Sequence, residues 1–249
     1  MKQIHNHKRK NKYRDFSIFQ TYMKTYIYFH ICILNNWIEI SNKLWEAIVV
    51  SGLYNKVDEI RCVVLGTPVD LVPTFLFDTK VKVLYQDPDM SQFERIILQI
   101  IRNEALNATE EFRILYIHSK GITHNNQNPA VNDWLDYMSY FNIQRHEQCM
   151  RELEQCDAVG VNLQTEPHAH FSGNFWWSKS SHIRTLNQLA DTCYNGPEWW
   201  IATNPHAIYK SIWNSNINHY EKRYYPFQYM NVLYLNTRTL HRLTSVEKM

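Results

Sequence analysis

Three short clusters hold side chains whose types and spacing could do chemistry. In His118-Ser119-Lys120-Gly121 an imidazole, a hydroxyl and an ammonium stand together beside a glycine that can turn the chain sharply. Such a group could bind the oxygens of a diphosphate, Lys120 as a point charge and His118 as a donor when protonated. The plain alternative is a turn with a solvated lysine. The second cluster is Phe171-Ser172-Gly173-Asn174-Phe175-Trp176-Trp177 and the third Gly196-Pro197-Glu198-Trp199-Trp200. Half of the eight tryptophans fall in these two pairs. An indole offers a large face suited to a sugar ring, although core packing is its commoner use. Neighbours on a strand point to opposite faces, so one member of each pair is expected to line a cavity. Glu198, between Pro197 and Trp199, is in a low-polarity setting suited to a general base; a helix N-terminus would also favour it. Asp133 is the next candidate carboxylate. His168 and His170 alternate as on a strand, but no third metal ligand follows at a readable spacing. HExxH and GxSxG are absent.

The elements that must position these residues form a repeating order. Tyr26 to Leu34, Ile60 to Leu65, Val81 to Tyr85 and Phe112 to Ile117 read as buried strands. Lys43 to Val50 and Phe93 to Leu106 have helical spacing between them, and a long helix is expected from Trp134 to Cys156, then a fifth strand from Ala158 to Leu163. Strands alternating with helices predict an α/β fold with a mostly parallel central sheet covered on both faces. Ligands of such sheets sit beyond the carboxyl ends of the strands. That places His30 to Asn35, Gly66-Thr67, Gln86-Asp87 and His118 to Gly121 at the expected site.

Composition narrows the function classes. The 249 residues include six glycines, about a third of the usual ~7%, and none form GxGxxG or GxxxxGK. The net charge of +2 is uneven: Lys2, Lys8, Arg9, Lys10, Lys12 and Arg14 stand in the first fourteen residues without an acid. Residues 1–24 read as a basic, solvated tail rather than a nucleic-acid or membrane anchor. Residues 25–249 read as one domain, with a nucleotide-binding half at 25–121 and an acceptor half at 122–249. Five cysteines without a CxxC pair argue against a disulfide framework or zinc ribbon. The longest apolar stretch is too short to span a bilayer, and no signal peptide is legible. A soluble, cytoplasmic chain that binds no nucleic acid is expected.

The stretches YIHSKGIT, VNDWLDYMSYF, CDAVGVN, HFSGNFWWSKSSHIRTL and GPEWW together resemble a family of viral and bacterial proteins related to glycosyltransferases of the nucleotide-diphospho-sugar-transferase, or GT-A, fold. The resemblance spans roughly residues 25 to 235, and HSKG and SGNFWW are its most specific parts. It implies a GT-A-like domain that moves a sugar from a nucleotide-diphospho-sugar donor to a hydroxyl of a glycan acceptor. GT-A enzymes carry an Asp-x-Asp at the end of the fourth strand that holds a divalent metal against the diphosphate. HSK stands in its place here, which implies no required cofactor and puts manganese dependence in doubt. The resemblance makes His30, Asn35, Gly66, His118, Ser119, Lys120 and Gly121 donor-binding. Ser172, Gly173, Asn174, Trp176, Trp177, Trp199 and Trp200 become acceptor-binding, and Glu198 or Asp133 the base of an inverting reaction. His219 is the nearest counterpart of a metal-site histidine. Two alternatives stay open: a noncatalytic glycan-binding protein on a degenerate GT-A fold, and a metal-dependent hydrolase using His168, His170 and Asp133.

Overall fold

A computed structural model describes residues 22–67, 72–189 and 193–230. Most of the expected basic tail, residues 1–21, lies outside them. Strand β1 (Thr25–Cys32) is an almost unbroken apolar run and is buried along nearly its whole length. It pairs in parallel with β2 (Glu59–Leu65) on one side and β4 (Arg113–His118) on the other, and β2 pairs in parallel with β3 (Val81–Asp87). On the far side of β4 lies β8 (Trp176–Lys179), antiparallel to both β4 and β5 (Ala158–Gly160), and β5 pairs in parallel with β9 (Tyr209–Ser211). The described sheet has the order β3-β2-β1-β4-β8-β5-β9. Both expected halves of the chain contribute strands to it. A separate hairpin joins β6 (Leu163–Gln164) and β7 (His170–Phe171).

Helices cover both faces, as a largely parallel sheet requires. Helix α1 (Trp37–Val50) buries Trp37, Ile40, Leu44 and Ile48, one stripe at helical spacing, against Ile27, Phe29 and Ile31. It begins six residues before the expected start at Lys43. Helix α2 (Arg95–Asn107) buries Ile97, Leu98, Ile101 and Ala105 on the opposite face with Tyr28 and Tyr116. Asn128 caps α3 (Pro129–Ser139) by accepting the Ala130 N–H, with Pro129 in the first turn, where its missing N–H costs nothing.

Two expectations need correction. The single helix from Trp134 to Cys156 is broken: α3 is followed by a π-turn over Tyr140–Gln144 and then α4 (His146–Glu152). The Asn142 amide donates to the Met138 carbonyl and competes with regular helix bonding there. The strand expected from Ala158 to Leu163 stops at Gly160, and Asn162 at φ 49° redirects the chain into the β6–β7 hairpin.

The tryptophan pairs also differ from expectation. Trp176 and Trp177 do point to opposite sides of β8, but both sides are covered. Trp176 packs with Tyr116, Phe171 and Trp200 on one face, and Trp177 with Leu115, Phe141 and Val159 on the other. Both are fully buried, and their ring N–H groups donate to Asn174 Oδ1 and the Asn142 carbonyl. Helix α5 (Ser180–Thr185) follows β8, and in α6 (Gly196–Trp200) Trp200 is likewise buried and donates to the Asn187 carbonyl. These three rings are core, not a glycan platform.

Candidate functional site

In open parallel sheets the ligand crevice lies where neighbouring strands send their connections to opposite faces, beyond the carboxyl ends. Here that point is between β1 and β4, and a cavity of about 330 Å³ opens there. His30 and Cys32 from β1, Met90, Phe93 and Glu94 ahead of α2, and His118 to His124 after β4 line it, with Tyr194 and Tyr220 toward solvent. The ends of the two strands are stitched together. Ser119 N–H donates to the His30 carbonyl (3.0 Å), Cys32 N–H to Ser119 Oγ (3.0 Å), and the Asn35 amide to the Ile122 carbonyl (2.7 Å).

The structure therefore divides the expected donor residues. His30, His118, Ser119, Lys120 and Gly121 meet at the cavity. Asn35 ties the two loops together behind it. Gly66 is not in the lining: at φ 119° a Cβ there would lie 2.9 Å from Ile33, so this glycine serves a close chain crossing. Within HSK, two side chains face protein. His118 Nε2 donates to the Gly173 carbonyl (3.0 Å), and Ser119 Oγ already accepts a backbone bond. Lys120 is the ammonium in the described lining. Its Nζ lies 4.1 Å from the centre of the Trp134 ring and 3.5 Å from Tyr220 Oη, a cation–π contact that holds the charge without neutralising it.

Glu94 is the site residue the sequence reading missed. Its Oε2 accepts from Tyr116 Oη (2.6 Å) and Asn174 Nδ2 (2.5 Å), and its Oε1 lies 3.7 Å from His118 Nδ1. Burial alone would raise its carboxyl; His118, His30, the Tyr116 hydroxyl and Lys120 outweigh burial and lower it below the ordinary 4.5. The sequence signal was weak but present: an acidic residue at the mouth of an amphipathic helix that follows a parallel strand.

Ser172-Gly173-Asn174 forms the wall behind these groups rather than an acceptor platform. Gly173, at φ 90°, passes so close to α3 that a Cβ would meet Met138 Sδ at 2.3 Å and the Trp134 ring at 2.9 Å. Its carbonyl receives His118, and its N–H donates to Glu198 Oε1 (2.7 Å). Asn174, at φ 59°, holds Glu94 with its amide and Trp176 with its carbonyl oxygen. Glu198, half-buried in α6, is outside the cavity lining and one peptide behind it. Trp199 stays partly exposed, with its ring 4.4 Å from that of His168.

Asp133 does not reach the cavity. It is buried on α3 in a bidentate pair with Arg223, at 2.6 and 2.8 Å, which removes it as a free base. His219 is buried between Trp134 and Tyr137 and bonded to Ser215 and Asn162. Among the described residues no three His, Cys, Asp or Glu side chains group as metal ligands, so His168, His170 and Asp133 do not form the alternative hydrolase centre. Glu94 is the one carboxylate in the described lining, so the cavity holds no carboxylate pair for a diphosphate-bound cation. No described helix is long and apolar enough to cross a membrane.

A family model described as a domain of unknown function (DUF8361) matches residues 59–194, a stretch containing Glu94, His118 to Gly121 and Ser172 to Trp177 but not Glu198. No curated protein matches the sequence. Similar solved structures include a protein assigned as a nucleotide-diphospho-sugar transferase from Desulfovibrio desulfuricans G20. It is 10% identical with a TM-score of 0.42, and the match covers 77% of this chain and 81% of that one. HddC from Yersinia pseudotuberculosis is 9% identical with a TM-score of 0.39, covering 76% and 90% respectively.

Proposed function

The chain belongs to the DUF8361 family, and we propose that it is a glycosyltransferase that moves a sugar from a nucleotide-diphospho-sugar to a hydroxyl of a glycan acceptor. The observation that carries this reading is the cavity between the carboxyl ends of β1 and β4, with the Lys120 ammonium in its lining. Breaking the bond between the sugar and the diphosphate leaves negative charge on the leaving group, and neutralising that charge is the main electrostatic demand of the step. Lys120 supplies the charge, and the surrounding hydrogen bonds fix the loop that carries it. No metal step is part of this proposal.

The acceptor approaches the cavity along the edge of the Gly173 wall, beside which Trp199 and His168 offer ring surface. Glu198 holds the Gly173 N–H with Oε1. Its second oxygen takes the proton of the acceptor hydroxyl as that oxygen bonds to the sugar and the nucleoside diphosphate departs. In this reading Glu198 both positions the wall and acts as base.

The inward orientation of His118 and Ser119 favours a second reading. With both side chains bonded to protein, Lys120 is left with little help in holding a diphosphate, as in a noncatalytic glycan-binding protein that has lost its donor. A thermal-shift screen against nucleotide sugars and free nucleoside diphosphates, with and without manganese, separates the readings, because a ligand of the folded state stabilises it by mass action. The transferase is stabilised by at least one nucleoside diphosphate and its sugar. Stabilisation by free glycans alone supports the binding protein.

A further inference from the structure

The inner end of the same cavity holds hydrogen-bonding groups that the transfer step leaves unused. His30 is 5% exposed, lines the cavity, and its Nε2 has no hydrogen-bond partner. Buried polar atoms are nearly always paired, so an orphan on a residue that lines a cavity points to something that pairs with it there. The Phe93 backbone raises the pKa of the ring, the effect of a carbonyl accepting from it. A carbonyl can only accept, so the ring hydrogen is assigned to Nδ1, and in the neutral imidazole Nε2 presents a lone pair. Burial supports the neutral ring: it pushes the pKa down to about 4 against the opposing influence of Glu94. Glu94 is the second acceptor. Its Oε2 is satisfied by Tyr116 and Asn174, while Oε1 stands 3.7 Å from His118 Nδ1, beyond hydrogen-bond reach.

The cavity is thus polarised, with acceptors at its inner end and the ammonium of Lys120 and the hydroxyls of Tyr194 and Tyr220 nearer its mouth. A phosphate oxygen turned inward would meet a lone pair and a carboxylate, which repel it. A hydroxyl turned inward can donate to either. We propose that the inner end of this cavity recognises the hydroxyl groups of a sugar whose anionic group lies against Lys120, with His30 Nε2 and Glu94 Oε1 as the accepting atoms. This rests on the reading of the cavity as the donor site, and it assigns His30 to the sugar rather than to the nucleotide.

The test uses the full chain labelled with ¹⁵N-histidine, with His30 sequentially assigned. Glucose, galactose, mannose and N-acetylglucosamine 1-phosphates are the probes, and inorganic phosphate is the control. In the free protein His30 Nε2 is expected to be unprotonated. At least one sugar phosphate should shift it, whereas inorganic phosphate should leave it unmoved. Glu94→Gln should weaken that sugar phosphate at least about tenfold, the loss expected when a hydrogen bond to a charged group is removed. A protonated Nε2 in the free protein, or no shift with any of the four probes, would overturn the proposal. Selective broadening of His30 by manganese would also overturn it, by making the ring a metal ligand. A nucleotide sugar that is turned over while His30 Nε2 stays still would keep the transferase and remove this inference. A shift with a sugar phosphate, without turnover of any donor, would do the reverse.

Discussion

The β1–β4 end of the sheet and the tryptophan-rich segment around β8 look equally rich in chemistry as sequence, yet they are opposite kinds of structure. At the first, HSK and its neighbours border a cavity and leave the Nε2 of His30 unpaired. At the second, the ring N–H of each buried tryptophan has a protein acceptor, and three of the four rings in the pairs are core. Unpaired polar atoms occur in the described scaffold too, among them Trp134 Nε1 and Asn142 Oδ1, so what distinguishes the strand end is an unpaired atom on a cavity-lining residue beside the Lys120 ammonium. The two regions meet at Gly173, whose carbonyl holds His118 and whose N–H is held by Glu198.

The sharpest way to break this comparison is to truncate the scaffold. Trp177→Ala should destabilise the fold by roughly 3–5 kcal/mol, the range for a large buried aromatic, measured by denaturant unfolding. Trp199→Ala, at a partly exposed ring, should cost much less stability. Equal losses would mean that the two pairs do not differ as described.

Much of this difference was hidden in the sequence for identifiable reasons. The parallel strands were legible because β1, β2 and β4 are largely apolar, with Glu59 and Arg61 at the start of β2 the main exceptions, and the site's address followed from their carboxyl ends. Trp176 and Trp177 misled because alternation on β8 says that two side chains face opposite ways and nothing about whether both ways are covered. Glu94 was masked by the amphipathic pattern of α2, and its role depends on Tyr116 and Asn174, partners distant in sequence. Asp133 looked available because its partner Arg223 lies ninety residues on.

Acid should unsettle both regions. His30 and His219 are lowered by burial from 6.5 to about 4, and His182 is lowered by burial as well. Their folded-state values lie below the unfolded one, so the unfolded chain takes up protons first. Stability should be full above about pH 6.5 and fall as the pH drops toward 4, each histidine contributing up to about 1.4 kcal/mol per pH unit. Chemical denaturation between pH 8 and 4 checks this, and a flat profile between 6.5 and 4 would show that these rings are charged in the folded protein. Glu198→Gln probes the junction at Gly173. As the base, Glu198 should lose at least about a hundredfold in turnover on this substitution, with donor affinity retained. As a positioning residue only, it should lose stability without a selective loss of rate.

The most direct test of the central claim is isothermal titration calorimetry of the parent chain and Lys120→Ala with the nucleoside diphosphate found by thermal shift and with the matching free nucleoside. A diphosphate held by the Lys120 ammonium should bind the variant about ten- to a hundredfold more weakly, the loss of a charge-assisted hydrogen bond, while nucleoside affinity stays the same. Equal weakening of both ligands, or no weakening of either, would contradict the placement of the diphosphate at Lys120 and with it the proposed transfer site.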